Sequence, residues 1–554
     1  MNNFGDKVSF IWSVTDLLRA PYRPNQYKDV MLPMTVLRRL DCVLEQTKDQ
    51  FLAKLEKFKG DPKNLAANLT HYIKGFSDRA RELIEHFAFE EQIAKLDKAD
   101  RIFLLVSKFC EINLHPDRIS NIDMGTIFEE LIRRFNEASN EDAGDHSTPR
   151  AVIRLMVNLH FLPDSRTLTT KGIVKTLYGL ACGIGGMLSV AEEYVRELNP
   201  DARLTVFAQA YAICGSDMMI KGHNIDHIRF RNSFTDDHLA GKPIDYMLAN
   251  PPFGVKWEAQ QDFVKREHEE QGFGGRFGAV LPRLNGGSLL FLLHMIAKMK
   301  DERDGGTRLA IAFNGSPLFT GGAGSGESEI RRWIIENDGL EAIVALPDQL
   351  FYNTGIHTYL WIVTNRKTRA RRGKVQLINA AGFFKKMRES LGNKRHEVCE
   401  EQRNEITRLY GELTDGEHVR IFAGEDFGFR RITVERPLRL NFVVTEERLA
   451  ALQADAAFQK LATSKIRKDK KAVESDPTLW DYENVPLGED VDAYMQREVL
   501  PHVPEAGWTS RRPRWATRSA STAISTSTLL RARLTRSKAT SSESKRRLPT
   551  CSRR

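Results

Sequence analysis

Paired cysteines are missing from this sequence. Cys42, Cys110, Cys182, Cys214, Cys399 and Cys551 are scattered over 554 residues with no Cys-x-x-Cys spacing. That argues against a zinc site (no metal is expected) and against a disulfide scaffold, and it suits a reduced, cytoplasmic protein. Long apolar runs are missing as well: nothing approaches the roughly 20 consecutive apolar residues that cross a bilayer. The opening stretch "MNNFGDKVSFIWSVTDLL" mixes in charge early and has no long apolar core, so neither a secretory leader nor a membrane partner is expected. No internal repeat is visible. Acid is nearly absent from one region only: Gly507–Arg554 holds thirteen Lys or Arg against the single acid Glu543, a net +12. The whole chain carries +9, so residues 1–506 carry −3. Any nucleic-acid contact made by the body must therefore come from local patches, not from overall charge.

The 41% hydrophobic content is enough for two or three domains. Residues 1–140 read as an all-helical N-terminal domain. "VTDLLRA", "VMLPMTVLRRLDCVLEQTKDQFLAKLEKF" and "MGTIFEELIRRFNEAS" place apolar residues at helical spacing, and Gly60-Asp61-Pro62 interrupts it. After "EDAGDHSTPR" the texture changes. Strand-like "GIVKTLYGL", "LTVFAQA", "IDYMLANPPF", "RLAIAFNG", "LEAIVALP" and "TYLWIVTNRK" alternate with helix-like "MLSVAEEYVREL", "YAICGSDMMIKG" and "SLLFLLHMIAKM". This alternation predicts a parallel, doubly wound α/β sheet over 141–390, with ligands at the carboxyl ends of its strands. "RKTRARRGK" (366–374) reads as a basic turn between two strands, either a solvated tip or a phosphate contact. Residues 391–506 read as charged, mostly helical and irregular, with "SKIRKDKKAVESD" as a solvated link or surface helix. The tail from 507 to 554 is Ser/Thr/Arg-rich without a period. It reads as a disordered basic arm or, given the abrupt change and lack of pattern, as out-of-frame translation.

Two motifs lie at expected strand ends. "LYGLACGIGGML" puts Gly183, Gly185 and Gly186 between a strand and a helix, where glycine permits a tight turn and close approach of a ligand to free helical N–H groups. The spacing is neither Gly-x-Gly-x-x-Gly nor a Walker loop, so a dinucleotide or ATP site is unsupported. A packing turn explains the cluster about as well. About sixty residues on comes Asn250-Pro251-Pro252-Phe253. The Asn250 side-chain oxygen and the Pro251 carbonyl are acceptors, proline adds no competing N–H, and Phe253 offers a ring on which a flat base can stack. Two acceptors aimed at one –NH2 group activate it as a nucleophile. The plain alternative is a proline-stiffened loop with a core phenylalanine.

With these motifs in this order, the chain resembles the modification (M) subunit of type I restriction–modification systems, an adenine-N6 DNA methyltransferase. "FIWSVTDLLRAPYRPNQYKDVMLPMTVLRRLDCVLE", "MGTIFEELIRRFNE", "STPRAVIRLMVNL" and "NGSPLFTGGAGSGESEIRRWIIENDGLEAIVALPDQLFYNTGIHTYLWIVTNRK" carry the likeness, over roughly residues 5–505. The resemblance implies a Rossmann-like methyltransferase sheet after a helical domain, S-adenosyl-L-methionine as methyl donor, and a flipped adenine in double-stranded DNA as acceptor. It implies that Asn250 and Pro251 hold the amine, with Pro252 stiffening the turn and Phe253 stacking on the base. Gly183, Gly185 and Gly186 would lie under the donor's methionine part, Thr148 and Pro149 near its carboxylate, and Asn232 near its adenine. Two M subunits with one specificity (S) subunit form the family's methylase, and an R subunit adds restriction.

The departures from the family pattern gather on the donor side. Gly179-Leu180 stand where Asp-Pro or a close variant is usual, Ile184 where Thr is, Ser147 where an aromatic is and Arg231 where Gly is. "FAQAYAICGSD" has Ala210 where an acid should bind ribose hydroxyls, and it is shorter by about five residues. Impaired donor binding is therefore expected. Three other readings stay open: a non-catalytic subunit that binds DNA and partner, a methyltransferase acting on a protein amide or on RNA, and the remnant of a decayed gene.

Overall fold

The computed structural model describes residues 4–19, 21–44, 64–139, 148–181, 183, 185–209, 212–221, 223–229, 232–352, 354–391, 393–435, 465–466, 473–474, 481–504 and 506–517. They fall into two compact units. One is drawn from the chain up to Leu318 and from Asp338–Ile421, the other from Phe319–Asn337 and from Phe422 onward.

The first unit opens with helices, among them Phe4–Ser13, Lys28–Val43, Phe89–Lys98, Ile102–Cys110 and Asn121–Ser139. No strand occurs among the described residues before 140. Apolar residues at helical spacing, such as Val30, Leu37, Leu96, Leu105, Phe128 and Leu131, meet in a single core. Arg39 is fully buried there and is satisfied by the carbonyls of Leu114 and Ile119. The last of these helices approaches the sheet domain closely at Gly125. A Cβ there would run into the Lys221 side chain, whose ammonium pairs with the buried Asp217 carboxylate.

The rest of the first unit is built on a nine-stranded sheet in the order β11-β8-β6-β7-β5-β4-β1-β2-β3. The strands are β1 Val174–Leu180, β2 Arg203–Gln209, β3 Ile228–Arg229, β4 Tyr246–Ala249, β5 Arg308–Asn314, β6 Leu340–Ala345, β7 Thr358–Thr364, β8 Lys374–Asn379 and β11 Val419–Ala423. Between β8 and β11 the chain makes a separate hairpin of β9 Lys385–Leu391 and β10 Lys394–Glu397. The expected doubly wound sheet behind a helical domain is therefore present, with one strand reversed. β7 runs antiparallel between β5 and β6. The link from β6 holds no crossover helix, and without one the chain returns antiparallel. The sequence turns outward from β1 in both directions, through β2 to β3 on one side and through β4 to β5 on the other. The β1/β4 boundary is thus the switch point at which such sheets bind ligands.

The opposite end of the sheet is closed by buried ion pairs. Arg308 Nη2 lies 2.8 Å from Glu341 Oε1 and 2.7 Å from Tyr410 Oη, joining β5, β6 and helix Glu400–Glu412. Asp245 Oδ2 accepts from Thr176 N at 2.9 Å and from its hydroxyl at 2.7 Å, locking the base of β4 to β1.

The second unit packs helix Gly326–Glu336 with a three-stranded sheet of β12 Gly428–Glu435, β15 Asp481–Pro486 and β16 Gly507–Thr517, in the order β15-β12-β16. Two expectations need correction. Among the described residues, 391–506, expected mostly helical and irregular, hold strands as well as the helices Glu400–Glu412 and Val491–Tyr494. Residues 507–517, placed in the tail, pair along β12. The period is hidden in β12 because arginines line it. Arg430 donates to the Leu487 and Glu489 carbonyls, Arg431 lies over the Tyr482 ring, and a register shift between Arg431 and Thr433 breaks the alternation. Within "SKIRKDKKAVESD", β13 Lys465–Ile466 and β14 Val473–Glu474 pair antiparallel. Residues 518–554 lie outside the described residues.

Candidate functional site

The two motifs meet at the switch point. β1 and β4 pair in parallel with Leu180 opposite Ala249, so the glycine turn and Asn250-Pro251-Pro252-Phe253 leave the sheet side by side. The register of two neighbouring strands cancels a sequence separation of about seventy residues.

Asn250 is held by one end of its amide. Its Nδ2 donates to Thr148 Oγ1 at 2.8 Å, while its Oδ1 is buried without a hydrogen-bond partner. A buried amide oxygen left unpaired costs about 1–3 kcal/mol, so this acceptor is stabilised by whatever donor reaches it. Thr148, expected near the donor's carboxylate, lies against the Asn250 amide. Pro149 is buried, and its carbonyl accepts from Val152 N and Ile153 N at the start of helix Arg150–Phe161. Pro251 is buried, while Pro252 and Phe253 are half-buried. The Phe253 ring meets Phe351 edge to face, with centroids 5.8 Å apart and planes at 75°. Phe351 follows β6 and is itself buried. No local pattern singled it out over Tyr352.

On the β1 side, Ala181, Gly183 and Gly185 all have positive φ, at 51°, 55° and 82°. Gly185 caps helix Gly186–Leu198, its carbonyl accepting from Leu188 N and Ser189 N. A Cβ on Gly185 would come 3.0 Å from Met218 Cγ and 3.2 Å from Cys214 Sγ, so the turn needs glycine for both its backbone and its packing. Gly179 is an ordinary member of β1, and Leu180 is fully buried, so β1 ends without a charged group.

The end of β2 is different. Gln209 is buried and fully engaged: Tyr178 Oη donates to its Oε1 at 2.9 Å, and its Nε2 donates to the Asp236 carbonyl at 2.8 Å. Behind Tyr178, His294 Nε2 lies 3.2 Å from the hydroxyl, and His294 Nδ1 faces Arg276 Nη1 at 3.1 Å. Burial, Lys298 and Arg276 all hold the His294 pKa well below its usual value, so the ring is neutral and accepts from Arg276 through Nδ1. Only two residues separate Gln209 from the next helix, Ala212–Ile220. Asn232 follows β3 and is exposed. Its Oδ1 accepts from Phe234 N at 2.9 Å and Thr235 N at 3.4 Å, a local turn not tied to the glycine loop or to Asn250 by any hydrogen bond among the described residues. Ser147, Ile184, Ala210 and Arg231 lie outside the described residues.

The basic turn lies at the far end of the sheet, and four of its six cations serve the fold, while Arg369 and Lys374 are exposed. Arg366 pairs with Asp164 through two contacts of 2.7 and 2.6 Å, and Lys367 pairs with Asp338. Arg371 reaches Gln376 and the Tyr410 carbonyl, and Arg372 reaches Glu302. Among the described residues no group of three or more His, Cys, Asp or Glu could hold a metal ion, and no helix is long and apolar enough to cross a membrane.

Comparison with known proteins adds to this geometry. Residues 120–426 match the family model for N-6 DNA methylases, and residues 7–109 match the HsdM N-terminal domain. The chain is 26% identical over 498 residues to the methylase subunit of the type I restriction enzyme MjaIX of Methanocaldococcus jannaschii, covering 80% of this chain and 84% of that one. It is 27% identical over 273 residues to the HindI methylase subunit of Haemophilus influenzae, covering 47% and 55%. Its fold matches the crystal structure of the methyltransferase subunit of a type I restriction–modification system from Streptococcus thermophilus. The TM-score is 0.59 at 21% identity, over 76% of this chain and 96% of that one.

Proposed function

Because this chain belongs to the N-6 DNA methylase family and carries the HsdM N-terminal domain of type I modification subunits, we propose that it transfers a methyl group to adenine N6 in double-stranded DNA. In this reading it acts in the cytoplasm beside a specificity subunit, a second M subunit and, for restriction, an R subunit. One observation carries the proposal: the buried, unpartnered Oδ1 of Asn250 at the switch point. It accepts one N–H of an exocyclic amine and the Pro251 carbonyl accepts the other. Together they localise the nitrogen lone pair for attack. Phe253 stacks on the base, and Phe351 braces Phe253 from the side. Thr148 fixes which end of the Asn250 amide faces outward.

The glycine turn fits the methionine end of S-adenosyl-L-methionine, since positive φ at Gly183 and Gly185 brings bare backbone and the N-terminus of helix Gly186–Leu198 to the β1 edge. When bound, S-adenosyl-L-methionine supplies an electrophilic methyl group. The ribose end fits less well. Leu180 brings no charge, Gln209 is consumed internally, and only Ala210 and Tyr211 join β2 to the next helix, neither of them acidic. Each missing charged hydrogen bond costs roughly 1.5–3 kcal/mol, or one to two powers of ten in affinity.

Methyl transfer to DNA by the chain co-purified with its specificity subunit, at saturating S-adenosyl-L-methionine, tests the proposal. Incorporation at adenine N6 is expected, and its absence at saturation overturns it. The short β2 link favours one second reading, a subunit that binds DNA and partner without methylating. Calorimetric titration separates the two, because the second reading gives no heat on adding S-adenosyl-L-methionine.

A further inference from the structure

The chain has a second basic segment, and its fate is the opposite of the first. The hairpin β9–β10 spans 385–397, "KKMRESLGNKRHE", with five Lys or Arg against two Glu. β8 runs parallel to β6, and Asn379 ends it at the level of Ala345. β6 is antiparallel to β7, which is antiparallel to β5. The chain therefore leaves β8 at the same end of the sheet as Asn250, whereas the 366–374 turn lies at the other end.

The hairpin is pinned to the loop that carries Phe351. Arg395 N and His396 N both donate to the Gln349 carbonyl, at 3.0 and 3.1 Å, and Asn393 N donates to the Tyr352 carbonyl at 2.8 Å. His396 Nδ1 also lies 3.1 Å from Asp348 Oδ1. Phe351 stands between these anchor points and touches Phe253. The hairpin is thus one rigid step from the amine clamp. Lys394 is spent inside it, buried with its ammonium 5.3 Å from the Tyr352 ring. Lys386, Arg388 and Arg395 are exposed, and among the described residues none of the three has an ion-pair partner.

These exposed cations lie beside a base-gripping site on a body whose overall charge is slightly acidic, so they are a local basic patch suited to an anionic partner. We propose that the 385–397 hairpin grips the phosphate backbone of the duplex flanking the extruded base, through Lys386, Arg388 and Arg395. The inference rests on the DNA reading of the site and adds a surface to it. Each phosphate contact releases counterions, so it appears as salt dependence.

The test is the anisotropy of a short labelled DNA duplex titrated with the full chain across a range of NaCl concentrations. The triple variant K386Q/R388Q/R395Q should lower the slope of log K against log salt by about 2.7, at about 0.9 per contact, with an unchanged melting curve. The control R369Q/K374Q, on the turn at the far end of the sheet, should leave the slope as it is. A wild-type slope retained by the triple variant overturns the proposal. Salt-independent binding by the wild type overturns it together with the DNA reading. A slope lost in the variant while the wild type transfers no methyl group upholds the hairpin and sinks the methyltransferase reading instead.

Discussion

In the proposed reaction, Asn250 is the residue on which the chemistry turns. Its amide has two ends with different tasks, and Thr148 settles which does which. Replacing Asn250 with Ala removes the outward acceptor and should lower kcat for adenine methylation by on the order of 10²–10³, by analogy with deleting one group that stabilises a transition state. Thr148→Val leaves Oδ1 in place but frees the amide to turn. Losing a neutral hydrogen bond costs about 0.5–1.5 kcal/mol, so kcat should fall roughly two- to tenfold with KM for the methyl donor unchanged, and Thr148→Ser should restore it. A rise in donor KM instead would mean that Thr148 binds the donor, as the family resemblance implies. Phe253→Ala should weaken binding of a duplex with an extruded base by about 1–3 kcal/mol.

At the scale of elements, the glycine turn is the sharpest constraint. Gly185 sits at φ 82° with Met218 and Cys214 against the place a side chain would take. An L residue in that conformation costs about 1–2 kcal/mol, and crowding adds to it. Gly185→Ala should therefore lower the urea midpoint by the equivalent of about 2 kcal/mol or more. The Asn-Pro-Pro-Phe loop and the glycine turn were both legible in the sequence, because strand ends are marked locally by glycine, proline and the end of an apolar run. β7 was legible as a strand but not as a reversed one, since direction depends on what the connection crosses. β12 and β16 were not legible. The β12 arginines Arg430 and Arg431 meet carbonyls and a ring supplied by other segments, so the local pattern there mimics a solvated surface.

The first unit is held from the end of its sheet opposite the site. Burial opposes the charge on Glu341, yet Arg308 and Arg371 outweigh it and hold its pKa at about 2, against 4.5 ordinarily. The folded-state value is depressed, so this stabilisation is full above the unfolded pKa and is lost as pH falls from about 4.5 through about 2. The linkage amounts to roughly 3 kcal/mol. Glu341→Gln should destabilise by about 3–5 kcal/mol, because it strands Arg308 in the core, and it should flatten the acid limb of a stability–pH curve measured by chemical unfolding. A limb of unchanged steepness would place the acid sensitivity elsewhere, with Asp245 the next carboxylate held low.

The sequence by itself determined the alternation of helix and strand, the helical domain before it and the two motifs at strand ends. Those are properties of neighbours along the chain, set by periodicity and by the backbone limits of glycine and proline. Tertiary structure alone decided that Thr148 grips Asn250, that Phe351 rather than Tyr352 meets Phe253, and that Arg366, Lys367, Arg371 and Arg372 are paired while Lys386, Arg388 and Arg395 are exposed. Thr148, Phe351 and Arg366 find their partners about 100 to 200 residues away. Charge on a side chain is written in the sequence, but whether a counter-charge reaches it is settled only when the sheet brings distant segments into register.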